Sequence, residues 1–521
     1  MTTHENNKHL VNQRYRKEAL LADRSNYSRL VCIDAQGSLT YRPFNDQGDC
    51  IPDFSCVGYK GGSEPIPDDI PALARLSPSS EDADDTSRIQ EVIDDISRRH
   101  PLENGFRGAI VLEEGTFRIS RTLNIRASGI VIRGTAQGKG TQIIANVNPW
   151  ENQFLVVFRG KPHERVSNTQ AEILGRVPVG ARVLSVKKMR YRVGDQVVVT
   201  ITTNKHWVST IGMDRIPTKK SNVKQWSPMR FEAFRTLIGI DPTHGTITLD
   251  APLTMAIDPE FGGGHVQLVK SSRLSHVGIE DIHFLCPINE GRRKEDLKEI
   301  PKERNGDYRF ASEMFLNYVL RFEHVENAWA KGVNSTWFHN HISIGIGSKN
   351  LTLQGCHHYY PNGLAFYSGQ SCYQLDGQLC LLTDCHSDNS FHNFVYMGRV
   401  PGPNVVHRCS ATGPGDSGPH MRWSTGQLYD CCKFDGTLLI QDRKDMGTGH
   451  GWSGANCVVW NCTVKNGIIV QKPPTAQNFA IGSTDRFAKP VVPSHERGWW
   501  ELAGVNVSPQ SLYEAQLRNR K

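Results

Sequence analysis

A chain of 521 residues, 38% hydrophobic and 22% charged with a formal net charge of +7, can bury a large core and carries a mild cationic excess. No apolar run approaches the roughly 18 residues of a membrane helix. No nucleic-acid-binding motif accompanies the positive charge, so neither a membrane nor a nucleic acid is expected as a partner.

The N-terminus, Met1-Thr-Thr-His-Glu-Asn-Asn-Lys, is polar and lacks a signal peptide's apolar segment. That leaves a cytoplasmic protein, or an exported one whose signal has been removed. Residues 1–80 read as a charged extension ending in a Pro-rich linker. In the next segment, 81–176, Ile89, Val92, Ile93 and Ile96 lie on one stripe, with Asp85 or Thr86 as N-cap. Their spacing predicts an amphipathic helix. Gly108-Ala-Ile-Val-Leu-Glu-Glu-Gly-Thr-Phe-Arg-Ile and Leu123-Asn-Ile-Arg-Ala-Ser-Gly-Ile-Val-Ile-Arg-Gly then read as short strands between Gly turns. A helix ahead of such strands would cover the open end of a stack.

Asp84-Asp-Thr-Ser-Arg-Ile-Gln-Glu-Val-Ile-Asp followed by the Gly108 strand resembles the N-terminal signature of the pectate-lyase superfamily. The resemblance implies an all-β, right-handed parallel β-helix with an N-terminal capping helix. It leaves the reaction open, because that superfamily includes polysaccharide lyases, glycoside hydrolases, epimerases, fructotransferases and phage tailspikes.

Residues 177–256 break the pattern with Val177-Pro-Val-Gly-Ala-Arg, Val193-Gly-Asp-Gln-Val-Val-Val-Thr and Gly245-Thr-Ile-Thr-Leu-Asp, which predict an inserted antiparallel β-subdomain. Between 181 and 240 there are twelve Lys or Arg against three acids, with Trp207 and Trp226 among them. A solvated basic loop would look the same. The functional expectation is a groove wall for an anionic glycan, with cations for its acids and tryptophans for sugar faces.

Residues 257–485 carry the main coils. Cys356, Cys385, Cys409, Cys431 and Cys462 each follow an aliphatic residue by three positions, at intervals of 29, 24, 22 and 31 residues. A fixed pattern with variable spacing predicts one strand–turn–strand unit per coil. Small apolar thiols suit an inward column, so the thirteen cysteines are expected to be reduced and buried.

Polar residues concentrate between 384 and 452. His392, His420 and Arg443 fall at or near the next strand of their own coils. Alternation would put His420 and Arg422 on one face, Met421 and Trp423 on the other, with Gln441 and Arg443 repeating the pattern a coil later. Such a ladder suits β-elimination from a uronate-containing polysaccharide: His420 as base or acid, Arg422 and Arg443 on the carboxylate, His392 and His450 as alternates. Asp416 is expected to orient His420. Trp423, Gln441, His450, Trp452, Asp388, Tyr359, Tyr360 and Trp207 are the expected substrate contacts.

Two other functions compete. Paired carboxylates among Asp384, Asp388, Asp416 and Asp430 would make a glycoside hydrolase, although Asp384 and Asp430 precede repeat cysteines and read as turn residues. Those aspartates also suit a Ca²⁺ ion, but no dense acidic cluster demands one. His339-Asn-His341 lacks a third metal ligand of obvious spacing, so no metal or other cofactor is expected. A non-catalytic carbohydrate-binding or tailspike-like protein is the third reading; the tail, 486–521, offers only a short helix.

Overall fold

The computed structural model describes residues 26–520 except 35, 81–82, 148–153, 188–189, 287–317 and 361–370. The first 25 residues of the expected N-terminal extension lie outside them. Three parallel sheets of 13, 9 and 9 strands run the length of the molecule. The chain visits them in rotation. Gly108–Leu112, Gly115–Ile119 and Leu123–Ile125 make one coil, and Ile130–Arg133 begins the next one rung up. This is the right-handed parallel β-helix, with the handedness that parallel crossovers take.

The repeat has a backbone cause. Gly332, Gly355, Asp384, Arg408, Cys431 and Asn461 all have φ between 48° and 62°. The left-handed turn at each sends the next side chain, Val333, Cys356, Cys385, Cys409, Cys432 or Cys462, into the core. Gly, Asn and Asp tolerate that conformation best, which explains the polar or Gly residue before most of the cysteines. The expectation for Cys431 is corrected by one position. Cys431 occupies the turn and its thiol meets the Gln510 carbonyl at 3.0 Å, while Cys432 joins the column. All thirteen cysteines are free. Burial pushes the Cys380 and Cys457 thiols up to about 12, which keeps them unreactive.

The helix spans Thr86–Arg98 and buries Ile89, Ile93 and Ile96 completely. Asp85 holds the N-cap position but makes no side-chain cap bond; Asp84 instead accepts the Thr86 amide at 2.9 Å. Thr86 Oγ1 accepts the Ser120 amide at 2.8 Å. Gln90 behaves as an artificial rung. Its Oε1 accepts the Asn124 amide at 2.8 Å and its Nε2 donates to the Asn124 carbonyl at 3.0 Å. The helix thus satisfies backbone groups that the terminal strands of two sheets would otherwise expose.

After Phe154–Arg159 the chain leaves the solenoid and returns at Leu274–Glu280. Between them lies a seven-stranded antiparallel sheet whose strands run from Glu164 to Lys270. This inserted subdomain has its own apolar cluster, into which the solenoid contributes Trp423, Trp452 and Ala455. Arg235, 1% exposed, is the central tie. It donates to the carbonyls of Phe234, Ala251, Pro252 and Gly402 at 2.7–3.1 Å and to Gln378 Oε1 at 3.4 Å.

Two core histidines make stability depend on pH. Burial lowers His339 to about 4 and His358 to about 3. The unfolded chain takes up these protons below about pH 6.5 while the folded chain refuses them, so stability falls on acidification through that window. By pH 4.5 each ring costs on the order of 2–3 kcal/mol. Buried Asp430, raised to about 6, has the opposite sign and offsets about one of them. Urea unfolding at pH 7 and pH 4.5 should show the lower stability at 4.5, and His358→Gln should narrow the difference.

Candidate active site

The corner where the third sheet hands the chain to the first carries the densest group of titratable side chains. Asp416–Pro419 is a strand of the third sheet, and Asp416 lies beside His392 of the strand His392–Tyr396 in the coil below. The register slips between His392 and Val395, a bulge that re-aims His392 relative to the rest of its strand. Asp416, Gly418 and His420 then alternate onto one side of their own segment.

His392 Nδ1 lies 2.5 Å from Asp416 Oδ1. A carboxylate only accepts, so Nδ1 carries the proton and Nε2 keeps its lone pair. His420 has the reverse arrangement. Arg443 Nη1 donates to His420 Nδ1 and to the His420 carbonyl, both at 3.1 Å, so the His420 proton sits on Nε2. The His420 ring stands edge-to-face with His392 at 4.7 Å and lies 4.8 Å from His450. Burial, then Arg443 and the two neighbouring histidines, hold His420 far below its ordinary value, so it stays neutral. Burial and the charges of Arg443 and Arg422 lower His450 to about 4. Arg443 Nε and His450 Nδ1 are buried without hydrogen-bond partners among the described residues.

This geometry corrects three expectations. Asp416 orients His392 rather than His420. His420, with its lone pair occupied by Arg443, supports the guanidinium instead of accepting a proton. The strand alternation expected for residues 420–423 does not occur, because Arg422 and Trp423 have φ of 50° and 61° and turn the corner. Arg422 faces a cleft, where it donates to Thr448 Oγ1 at 2.6 Å. Trp423 enters the subdomain core and meets Trp207 at 4.9 Å.

The tryptophans are fillers rather than sugar platforms. Trp207, Trp423 and Trp452 are each 1% exposed, and Trp452 Nε1 donates to the Ile211 carbonyl. Trp226 is buried and bonded to the Gly449 carbonyl. Gln441 is buried and accepts the Val491 amide. Tyr360 is buried against Trp337, whereas Tyr359 is exposed on the second sheet beside His357 and His386. Asp388 is spent on Tyr360, Asn389 and Thr412 at a turn. Asp384 pairs with Arg408, and Asp430 binds Ser511 and the Tyr513 amide beneath the C-terminal helix, Leu512–Arg520. Among the described residues no group of three or more His, Cys, Asp or Glu is placed to hold a metal ion.

Sequence reasoning missed two parts of the site. Asp376 follows Leu375 as His420 follows Pro419, in columns linked through Tyr396, so it lies two coils below His420. Burial raises its carboxyl, against the lowering effects of Gln374 and Arg321. The second part is a loop of the subdomain. Thr218 Oγ1 donates to Asp445, and Lys224 N and Trp226 Nε1 donate to the Thr448 and Gly449 carbonyls. The loop thereby fixes the segment carrying Arg443 and His450. Only the excess of lysine and arginine in 181–240 signalled it.

No protein family matches the sequence, and no curated protein matches it. Among solved structures, the chain is similar to the Gp54 tailspike of Acinetobacter baumannii bacteriophage AP22 in complex with capsular saccharide, at 10% identity and TM-score 0.40, over 81% of this chain and 57% of that one. The gp49 tailspike from Pseudomonas phage LKA1 aligns at 10% identity and TM-score 0.37, over 77% and 65%. A DFA-IIIase from Arthrobacter chlorophenolicus A6 in complex with GF2 aligns at 11% identity and TM-score 0.35, over 85% and 88%. The chain thus spans 57% and 65% of the lengths of these two tailspikes.

Proposed function

We propose that the chain is a carbohydrate-active enzyme that cleaves a uronate-containing polysaccharide by β-elimination at the His392–Asp416–Arg443 corner. The observation that carries this reading is the His392 tautomer: Asp416 holds the proton on Nδ1 and leaves the lone pair on Nε2, with the ring packed against His420, which in turn holds Arg443. Arg443 neutralises the sugar carboxylate, which acidifies the proton at C5. His392 Nε2 takes that proton, the C4–O4 bond breaks as the C4=C5 bond forms, and the imidazolium returns the proton to the departing oxygen. Asp416 stabilises the imidazolium meanwhile.

A second reading rests on Asp376. A carboxyl raised by burial is a candidate general acid of a glycoside hydrolase. One assay separates the two. On a panel of uronate polysaccharides, elimination gives an unsaturated product that absorbs in the ultraviolet, whereas hydrolysis gives new reducing ends without that absorbance. The expected result is an absorbance rise with the wild type. Reducing ends alone would transfer the assignment to a hydrolase with Asp376 as its acid. Neither signal would leave a binding protein.

A further inference from the structure

Several arginines have a carboxylate: Arg133 pairs with Glu280, Arg176 with Asp49, Arg182 with Asp53 and Arg408 with Asp384. One group does not. A cleft of about 590 Å³ between the subdomain loop and the solenoid is lined by Lys224, Arg230, Arg399 and Arg422, with no Asp or Glu in its wall. Among the described residues, none of these four cations has a carboxylate within ion-pair distance, and Arg422 meets only Thr448.

The backbone holds two of these charges together. Arg399 and Arg422 both sit in left-handed turns, with φ of 64° and 50°, and the Arg399 amide donates to the Arg422 carbonyl at 2.8 Å. Burial lowers Arg422, and the charge of Arg399 lowers it further, so the two guanidiniums feel each other's repulsion. The Arg422 amide in turn donates to the His450 carbonyl at 3.0 Å, which places the cleft beside the segment that carries His450. Like charges fixed at a concave surface without counter-charge are a site waiting for an anion, because only a bound anion relieves their repulsion. Two guanidiniums suit planar, bidentate acceptors such as carboxylate or sulfate.

We infer that this cleft is a second subsite, which binds an anionic substituent of the sugar next to the one being cleaved, so the natural polymer carries acidic groups on neighbouring units. This rests on the elimination reading only for the position of the scissile bond. The subdomain, through Lys224 and Arg230, then sets the choice of polymer while the solenoid performs the chemistry.

The test measures binding by the full chain carrying His392→Ala, so that turnover does not interfere. Titration calorimetry with oligogalacturonate, dextran sulfate and unsubstituted dextran should show binding of the charged ligands and none of dextran. Preference between the first two identifies carboxylate or sulfate. Adding Lys224→Gln, Arg230→Gln and Arg399→Gln should weaken binding at least tenfold and flatten its salt dependence, with an unchanged thermal melt. Equal affinity in that variant, or equal binding of dextran, would overturn the inference. So would tighter binding of a single-stranded oligonucleotide than of either polyanion. Because binding is read without the proposed base, a wild type that fails to eliminate leaves the result standing.

Discussion

His392→Ala is expected to lower the elimination rate by about 10³-fold, the usual contribution of a positioned general base. Asp416→Asn should cost nearly as much while leaving the fold intact. An asparagine amide can turn its NH2 toward His392 Nδ1, which would then accept, and the ring's proton would move to Nε2, where the lone pair is needed. His420→Ala should act differently. It removes the Nδ1 acceptor of Arg443 and leaves only the backbone carbonyl of residue 420, so it should raise KM more than it lowers kcat, whereas His420→Gln, which retains a side-chain acceptor, should recover part of the loss. Initial rates of ultraviolet absorbance with these four variants decide the matter. If His420→Ala abolished turnover and His392→Ala did not, the two histidines would exchange roles.

The second large effect belongs to stability. Arg235→Leu is expected to destabilise the protein by about 3–5 kcal/mol, because it strands the carbonyls of Ala251, Pro252 and Gly402 in a dry interface and leaves Gln378 a donor short. Arg235→Lys should rescue little, since one ammonium cannot reproduce a fork that serves five acceptors. Urea unfolding followed by tryptophan fluorescence is a sensitive readout, as Trp207, Trp423 and Trp452 sit in the same interface cluster. A change below about 1 kcal/mol would mean the apolar cluster alone holds the subdomain.

The solenoid was legible in the sequence because its turns are chemically selective. A left-handed residue once per coil favours Gly, Asp or Asn, and the side chain after it must be small enough to stack inward. The reading slipped at Cys431-Cys432, because Cys431 meets the pattern through Leu428 whereas Tyr429 stands three before Cys432, and only the turn at Cys431 assigns the inward place to Cys432. The capping helix was legible from its spacing, but its cap was not, because Asp84 and Thr86 serve the neighbouring strands as well as the helix. The site was legible as a cluster and not as a set of roles. Which imidazole nitrogen is free depends on partners 23 or 24 residues away, Asp416 for His392 and Arg443 for His420. Nor could the tryptophans be sorted, since a ring that lines a groove and one that fills a joint have the same local sequence. Asp376 escaped because neither its spacing nor its neighbours set it apart; its raised carboxyl comes from burial by coils distant in sequence.

Gln90 has a wider meaning than its two hydrogen bonds. A ladder of parallel rungs is a template that any further strand can extend, and growth at its end adds the same increment each time, as in a one-dimensional crystal. By presenting one acceptor and one donor at the spacing of a rung, on a helix that cannot itself be extended, Gln90 terminates that crystal from within the chain. The helix therefore does more than complete a hydrophobic core: it keeps a fold whose backbone invites addition as a discrete molecule instead of a fibre.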